Sequence, residues 1–232
     1  MFSFSMLYIV STPIGNLKDM TFRAVEVLKS VDLIAAEDTR HTGILLKHYG
    51  IDTPQTSYFE HNEAKKADYL TGLMKQGKTV ALVSDAGTPG ISDPGYRLVE
   101  AARREGIPVT VVPGPCAAIA ALSLSGFPTD KFCFEGFLPV KSSARRSKID
   151  SWKGKEGTLI CYESPYRLLK SLNDIGDVLE NPVVCVVREA TKKFEEVKKG
   201  SAREVFEYFS QKTVKGEIVL LINLKNSDLQ SL

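Results

Sequence analysis

The sequence predicts an α/β protein of two domains, a mainly parallel first sheet with helices on its faces, then a mixed-sheet α+β domain. Three observations carry this prediction. Short apolar runs such as Leu7-Tyr8-Ile9-Val10, Leu33-Ile34-Ala35-Ala36, Val80-Ala81-Leu82-Val83 and Val109-Thr110-Val111-Val112 alternate with stretches of helical period, the pattern of strand–helix units. A loop rich in glycine, proline or charge follows each of these runs. After Gly126-Phe127-Pro128-Thr129-Asp130 the strict alternation stops, which places a linker there and divides the chain into 1–126 and 127–232.

In order, Leu7–Val10 reads as a strand, and residues 20–31 as a helix burying Phe22, Val25, Leu28 and Val31. After the strand at Leu33–Ala36, Asp38 or Thr39 caps a helix that Gly50 ends. Residues 55–59 form a short strand, and Asn62 opens a helix to Lys75. The strand at 79–83 leads into Ser84–Gly95, with Asp93 as N-cap and Pro94 at the first position of the next helix. The small apolar helix 117–125 packs closely on a sheet. In the second half, strands are expected from Cys133, over Thr158–Tyr162, over Val183–Val187 and over Glu217–Leu224. Ser164-Pro165 starts one helix, and Ser201 caps another to Phe209.

Composition excludes several classes. Hydrophobic residues make up 43% and charged residues 25% of the chain, values of a soluble globular protein. The net charge of +2 does not announce nucleic acid, but residues 1–126 carry −1 and residues 127–232 carry +3. Cys116, Cys133, Cys161 and Cys185 form no C-x-x-C pair and read as reduced, buried thiols of a cytosolic protein. His41, His48 and His61 give no zinc spacing with them, so no metal is expected. No run approaches the roughly 18 apolar residues of a membrane span, and no leader pattern opens the chain. The expected location is the cytoplasm.

If the first-half strands are parallel, loops 11–16, 37–40, 84–95 and 113–116 share one sheet edge, where open α/β sheets bind ligands. No G-x-G-x-x-G or G-x-x-x-x-G-K-[ST] occurs, so neither a dinucleotide fold nor a phosphate-cradling NTPase loop is supported. The loops hold Asp, Gly and Pro rather than cations, which suits a ligand with ribose hydroxyls and a positive centre. Asp85 either accepts from such a ligand or caps its own turn. Glu37-Asp38-Thr39-Arg40 either binds substrate and supplies a base or stabilises a helix N-terminus. His41 reads as a surface or capping residue. Glu163 and Glu189 end strands and either face a cleft or pair with Arg167 and Arg188. The stretch 139–155, with Lys141, Arg145 and Arg146, is either a phosphate handle with Trp152 stacking on a base or a solvated helix face.

Thr12-Pro13-Ile14-Gly15-Asn16-Leu17, Ala36-Glu37-Asp38-Thr39-Arg40, Ser84-Asp85-Ala86-Gly87-Thr88-Pro89, Ser92-Asp93-Pro94-Gly95, Pro113-Gly114-Pro115-Cys116-Ala117, Phe137-Leu138-Pro139, Tyr162-Glu163-Ser164, Arg188-Glu189 and Lys215-Gly216-Glu217 together resemble the small-subunit ribosomal RNA methyltransferases of the tetrapyrrole methylase superfamily. The resemblance spans nearly the whole chain and departs at Gly90 and Ala190, where larger residues are usual. It implies a two-domain tetrapyrrole-methylase-like fold with S-adenosyl-L-methionine held folded between the domains. It implies methyl transfer to a cytidine 2'-hydroxyl in the decoding region of 16S rRNA, on naked RNA or the small ribosomal subunit, by a homodimer. A tetrapyrrole substrate and a non-catalytic RNA-binding module are the alternatives. Cofactor contacts are implied for Pro13, Asp85, Gly87, Ile91, Cys116, Ala117, Tyr162, Ala190 and Gly216. Asp38, Glu163 and Glu189 are the candidate bases, and Arg40, Lys141, Arg145 and Arg146 the candidate substrate contacts.

Overall fold

The computed structural model describes residues 5–224. The chain divides between Cys116 and Ala117 into two compact units.

The first unit carries strands β1 (Met6–Val10), β2 (Leu33–Ala36), β3 (Gln55–Ser57), β4 (Thr79–Val83) and β5 (Val109–Val112), with helices α1 (Phe22–Ser30), α2 (Thr39–Tyr49), α3 (Glu63–Lys75) and α4 (Tyr96–Arg104) between them. The five strands form one parallel sheet in the order β3-β2-β4-β1-β5. Both faces are covered at the inner strands, so β1, β2 and β4 are mainly apolar rather than alternating, whereas edge strand β3, Gln55-Thr56-Ser57, is polar. Leu7, Val80 and Leu82 pack on one face with Leu70 and Met74 of α3 and Leu98 of α4. Val10, Ala81 and Val83 pack on the other with Leu28 of α1 and Leu45 and Leu46 of α2. Adjacent strands β1 and β4 therefore send their helices to opposite faces, which opens a crevice between their carboxyl ends.

Two local expectations are corrected here. Phe22 is 93% exposed and leaves the expected stripe, which Leu28, Val31 and partly buried Val25 keep and to which Ala24 is added. Helix α4 begins at Tyr96 with Gly95 as N-cap and no capping side chain. At φ +152 Gly95 lies so close to Gly90 that a Cβ would sit 3.1 Å from the Gly90 nitrogen. The loop thus folds back on itself before the helix starts, and Asp93 is turned away from a capping role.

The second unit holds α5 (Ala117–Ser125), β6 (Phe132–Phe137), α6 (Ser142–Asp150), β7 (Thr158–Glu163), α7 (Leu168–Val178), β8 (Val183–Arg188), β9 (Glu196–Ser201), α8 (Ala202–Ser210) and β10 (Ile218–Asn223). Its sheet is mixed, in the order β6-β7-β10-β8-β9, with β6 and β7 parallel and the other neighbours antiparallel. Cys161, Val184, Val186, Leu220 and Ile222 form one core with Ile149, Trp152, Leu172, Ile175 and Phe209. The opposite face meets α5, which contacts β7, β8, β9 and β10. This helix belongs to the second unit, whereas a linker at 126–130 assigns it to the first. Ser164-Pro165 lies in a turn, and α7 starts three residues later with Arg167 as N-cap. Ser201 caps α8 in a full capping box with Glu204, as expected. Cys161 and Cys185 are buried thiols, Cys116 is half-buried, and Cys133 is exposed on the edge strand β6. No described helix is long and apolar enough to cross a membrane.

Candidate functional site

Parallel β1, β2, β4 and β5 bring loops 11–16, 37–40, 84–95 and 113–116 to one sheet edge. Backbone pairing closes the crevice between β1 and β4. Thr12 N–H donates to Gly87 O (2.8 Å), Gly87 N–H returns to Thr12 O (3.1 Å), and Thr12 Oγ1 donates to Ser84 O (3.1 Å). Ser11 and Thr88 share a hydrogen bond of 2.9 Å, and Thr88 Oγ1 donates to Pro115 O (3.1 Å). Three loops far apart in sequence are one stitched surface. Pro13 and Gly87 are buried in it, Asp85 and Cys116 are half-buried, and Ile91 is exposed at its rim.

The tips of β2 and β4 are cross-tied through carboxylates. Asp38 N–H donates to Asp85 Oδ1 (3.1 Å), and Asp85 N–H donates to Glu37 Oε2 (3.3 Å). Burial pushes the Glu37 carboxyl above its ordinary range, the Asp85 N–H opposes this, and the charges of Asp85 and Asp38 add to it. Burial, then the charge of Glu37, pushes the Asp93 carboxyl up to about 6, against a hydrogen bond to Ser84. Among the described residues none of Glu37, Asp85 and Asp93 forms a salt bridge. Three carboxyls are therefore gathered here outside any salt bridge, with Arg40 acting on Asp85 and His41 on Glu37 only at longer range.

Asp38 behaves differently. It caps α2 through Arg40 N–H (2.8 Å) and grips the Arg40 guanidinium at 3.1 and 2.7 Å. These Arg40 contacts hold its carboxyl far below the usual carboxylate range. Arg40 itself is directed outward, its side chain 90% exposed.

In the second unit the ends of β7 and β8 and the start of antiparallel β10 converge, because Ile218 lies opposite both Glu163 and Arg188. Tyr162 packs edge-on against Phe134 (4.9 Å) and Phe137 (5.7 Å). The Glu163 side chain is buried and takes Ser164 N–H (2.7 Å), Ser171 Oγ (2.6 Å) and Arg167 (2.8 Å). Glu189 has φ +52, a left-handed conformation that is costly for a side chain. Its N–H donates to Glu217 O (2.9 Å), while its carboxylate takes Glu217 N–H (3.0 Å) and Lys192 (2.9 Å). Burial works to raise this carboxyl, but Glu217 N–H and Lys192 outweigh it and hold it below the usual range. Gly216, at φ +89, lies directly under that carboxylate, where any Cβ would overlap it. Next to half-buried Ala190, Thr191 also has φ +67, and its buried Oγ1 has no hydrogen-bond partner. Backbone strain and an unsatisfied hydroxyl at one strand end are features that accompany ligand sites.

The basic stretch is largely spent inside the second unit. Arg145 is 3% exposed and bonds Asp174 (2.7 Å) and the carbonyls of Pro139 and Val140. Arg146 pairs with Asp174 (2.9 Å) and Asp177 (3.1 Å), and Lys148 with Glu135 (2.6 Å). Trp152 is fully buried and donates to Glu135 (3.1 Å), so its indole is a core group rather than a stacking platform. Lys141 is exposed at the N-cap of α6. The raised carboxyls of Glu37 and Asp93 carried no sequence signal beyond their place in charged or turn-rich loops. Among the described residues no group of three or more His, Cys, Asp or Glu gathers as a metal cluster.

Residues 6–205 match the family of Tetrapyrrole (Corrin/Porphyrin) Methylases. The chain is 52% identical over 219 residues to the ribosomal RNA small subunit methyltransferase I of Escherichia coli O157:H7, covering 93% of this chain and 77% of that one. It is 50% identical over 223 residues to the protein of the same name from Haemophilus influenzae, covering 95% and 79%. For the Thermotoga maritima protein of that name the identity is 48% over 219 residues, covering 94% and 98%. The same fold occurs in the uroporphyrin-III-C-methyltransferase of Thermus thermophilus, with a TM-score of 0.66 at 20% identity over 94% of both chains. A cobalt precorrin-4 methyltransferase shares it with a TM-score of 0.69 at 18% identity over 96% of both.

Proposed function

We propose that this chain, which belongs to the tetrapyrrole methylase family as one of the ribosomal RNA small subunit methyltransferase I group, methylates the 2'-hydroxyl of a cytidine in the decoding region of 16S rRNA with S-adenosyl-L-methionine. The observation that carries this reading is identity of about half the residues to relatives of that name over more than nine-tenths of the chain. The reading extends to a homodimer acting in the cytoplasm on the small ribosomal subunit.

The residues present fit the cofactor. Carboxyls outside any salt bridge at Glu37, Asp85 and Asp93 suit a cationic sulfur, and the unpartnered Thr191 hydroxyl beside Ala190 has a hydrogen bond to give. Pro13, Asp85, Gly87, Ile91 and Cys116 of the first unit, with Ala117, Tyr162, Ala190 and Gly216 of the second, are assigned to hold it. Bound there, the cofactor supplies an electrophilic methyl group. The protein then has two tasks, in-line placement of the acceptor oxygen and removal of its proton. A base works best when its proton affinity is near the working pH, which favours Glu37 and Asp93 over Asp38 and Glu189, while the Glu163 carboxylate is already occupied by Ser164 N–H, Ser171 and Arg167. Asp38 is assigned to holding Arg40 toward an RNA phosphate. Glu163 and Glu189 are assigned to fixing the edge that presents Tyr162 and Gly216.

The test is transfer of labelled methyl from S-adenosylmethionine to small subunits, followed by nucleoside analysis. Label in 2'-O-methylcytidine is expected. Label in a base, or in no nucleoside, rejects the reading.

A further inference from the structure

We propose that the surface at the carboxyl ends of β2 and β3 binds unstacked nucleotides of the RNA, next to the Glu37–Arg40 tip. The proposal rests on the RNA-methyltransferase reading and names a contact surface for that substrate.

Parallel pairing sets Ala36 opposite Ser57, and Tyr58 N–H donates to Ala36 O at 2.7 Å. The segment after β3 therefore runs beside the charged tip. Strand parity buries Tyr58 completely and turns Phe59 outward, 39% exposed. The Phe59 ring is not loose. Asn62 Oδ1 accepts Phe59 N–H (2.8 Å), Asn62 N–H returns to Phe59 O (2.9 Å), and the His61 ring meets Phe59 edge-on at 6.4 Å. Nearly two turns into α3 Tyr69 is 52% exposed, with Lys66 Nζ 5.1 Å from its ring centre. Lys66 is anchored in turn on Thr56 Oγ1 at 2.6 Å. Arg40 projects from the adjoining tip.

Exposed aromatic rings held in place, with cations between them, take splayed bases and their phosphates. Through the Tyr58–Ala36 bond the segment adjoins the tip that carries Glu37 and Arg40. Its charge is modest: Glu60 and Asp68 are exposed nearby, while Glu63 is occupied by Gly95 N–H (3.0 Å) and Arg97 (3.3 Å). Stacking must then supply most of the affinity. That favours single-stranded over duplex RNA and a shallow salt dependence, since few counterions are released.

The experiment measures binding of a fluorescently labelled single-stranded RNA by anisotropy at several salt concentrations, with S-adenosylmethionine affinity measured separately by calorimetry. Phe59→Ala combined with Tyr69→Ala is expected to weaken RNA binding at least tenfold and to leave cofactor affinity within twofold. Phe59→Tyr with Tyr69→Phe, which keeps both rings, is expected to bind RNA within twofold of the wild type. Unchanged RNA affinity in the alanine variant overturns the proposal, and so does a loss that the ring-keeping variant shares. Should the double variant fail to fold, Tyr69→Ala alone, at an exposed position, is read by the same criteria. RNA binding by the wild type without methyl transfer would reject the enzymatic reading and leave the surface standing. Methyl transfer with no effect of the alanine variants on RNA binding rejects the surface and leaves the reading standing.

Discussion

Asp38 and Asp85, on neighbouring strand tips, are tied through the backbone: the N–H of Asp38 is held by the carboxylate of Asp85, whose own N–H is held by Glu37. Removing the Asp85 carboxylate therefore frees an N–H on one tip and, on the proposed assignment, removes a negative charge that faces the cofactor. Asp85→Ala is expected to weaken S-adenosylmethionine at least tenfold in calorimetry. Asp85→Asn, which can still accept the N–H, is expected to fall between. Equal affinity in all three proteins would reject Asp85 as a cofactor residue.

The base assignment separates by pH. With Glu37 and Asp93 as the groups that take the proton, Glu37→Gln and Asp93→Asn are expected to lower single-turnover methyl transfer by ten- to a thousandfold at saturating S-adenosylmethionine. Asp38→Asn is expected to act instead on the KM for RNA. Normal single-turnover rates in Glu37→Gln and Asp93→Asn would leave Asp38, Glu163 and Glu189 as the candidate bases.

Asp93 also predicts a pH signature of stability. Its carboxyl is raised from an ordinary 3.8 to about 6, mainly by burial. The folded protein then binds more protons than the unfolded chain between those values. The contribution of this group is complete below pH 3.8 and lost as pH rises through 6. Asp93→Asn, neutral at every pH, should melt higher than the wild type at pH 8, with the gap closing near pH 4. A gap independent of pH would contradict the assignment.

Arg145 tests the fate of the basic stretch. Its guanidinium is buried against Asp174 and two carbonyls, so Arg145→Ala leaves a buried carboxylate without its closest partner. The expected cost is about 3–5 kcal/mol, read by urea unfolding. A cost under about 1 kcal/mol, together with weakened RNA binding, would restore Arg145 as a substrate contact.

Gly216→Ala places a methyl group inside the Glu189 carboxylate and forces a side chain into a left-handed conformation. Strain of that backbone kind costs of order 1–3 kcal/mol, and the overlap adds to it. Glu189→Ala in the same chain removes the overlap and not the backbone strain, so partial recovery of the melting temperature is expected. No recovery would place the cost in the backbone alone.

Most of the first unit was legible because its signal is local. Apolar runs, capping Asp38 and the αL Gly50 each declare themselves within a few residues, and parallel pairing then brings the loops together. What was not legible depends on partners distant in sequence. Asp93 looks like a helix cap until the loop folds it toward Ser84 and Glu37. Arg145 and Arg146 look like a solvent-facing phosphate handle until α7 supplies Asp174 and Asp177. Glu196–Ser201 carries no apolar alternation and still forms edge strand β9. Lys198 lies over the Tyr208 ring, and Glu196 is bonded by Arg188, Tyr208 and Lys212. Edge strands are held by such polar contacts as much as by a buried stripe.

The Thr12–Gly87 pairing carries a consequence for how the site comes into being. Its two residues are 75 positions apart, and the bonds that join their loops cross that distance. The crevice forms only after β4 has aligned beside β1, which must follow closure of a long stretch of chain. Binding competence should thus emerge late in folding and all at once with the parallel sheet. A peptide spanning Ser84–Gly95 alone would keep the turns within the loop and lack its bonds to Thr12, Ser11 and Pro115.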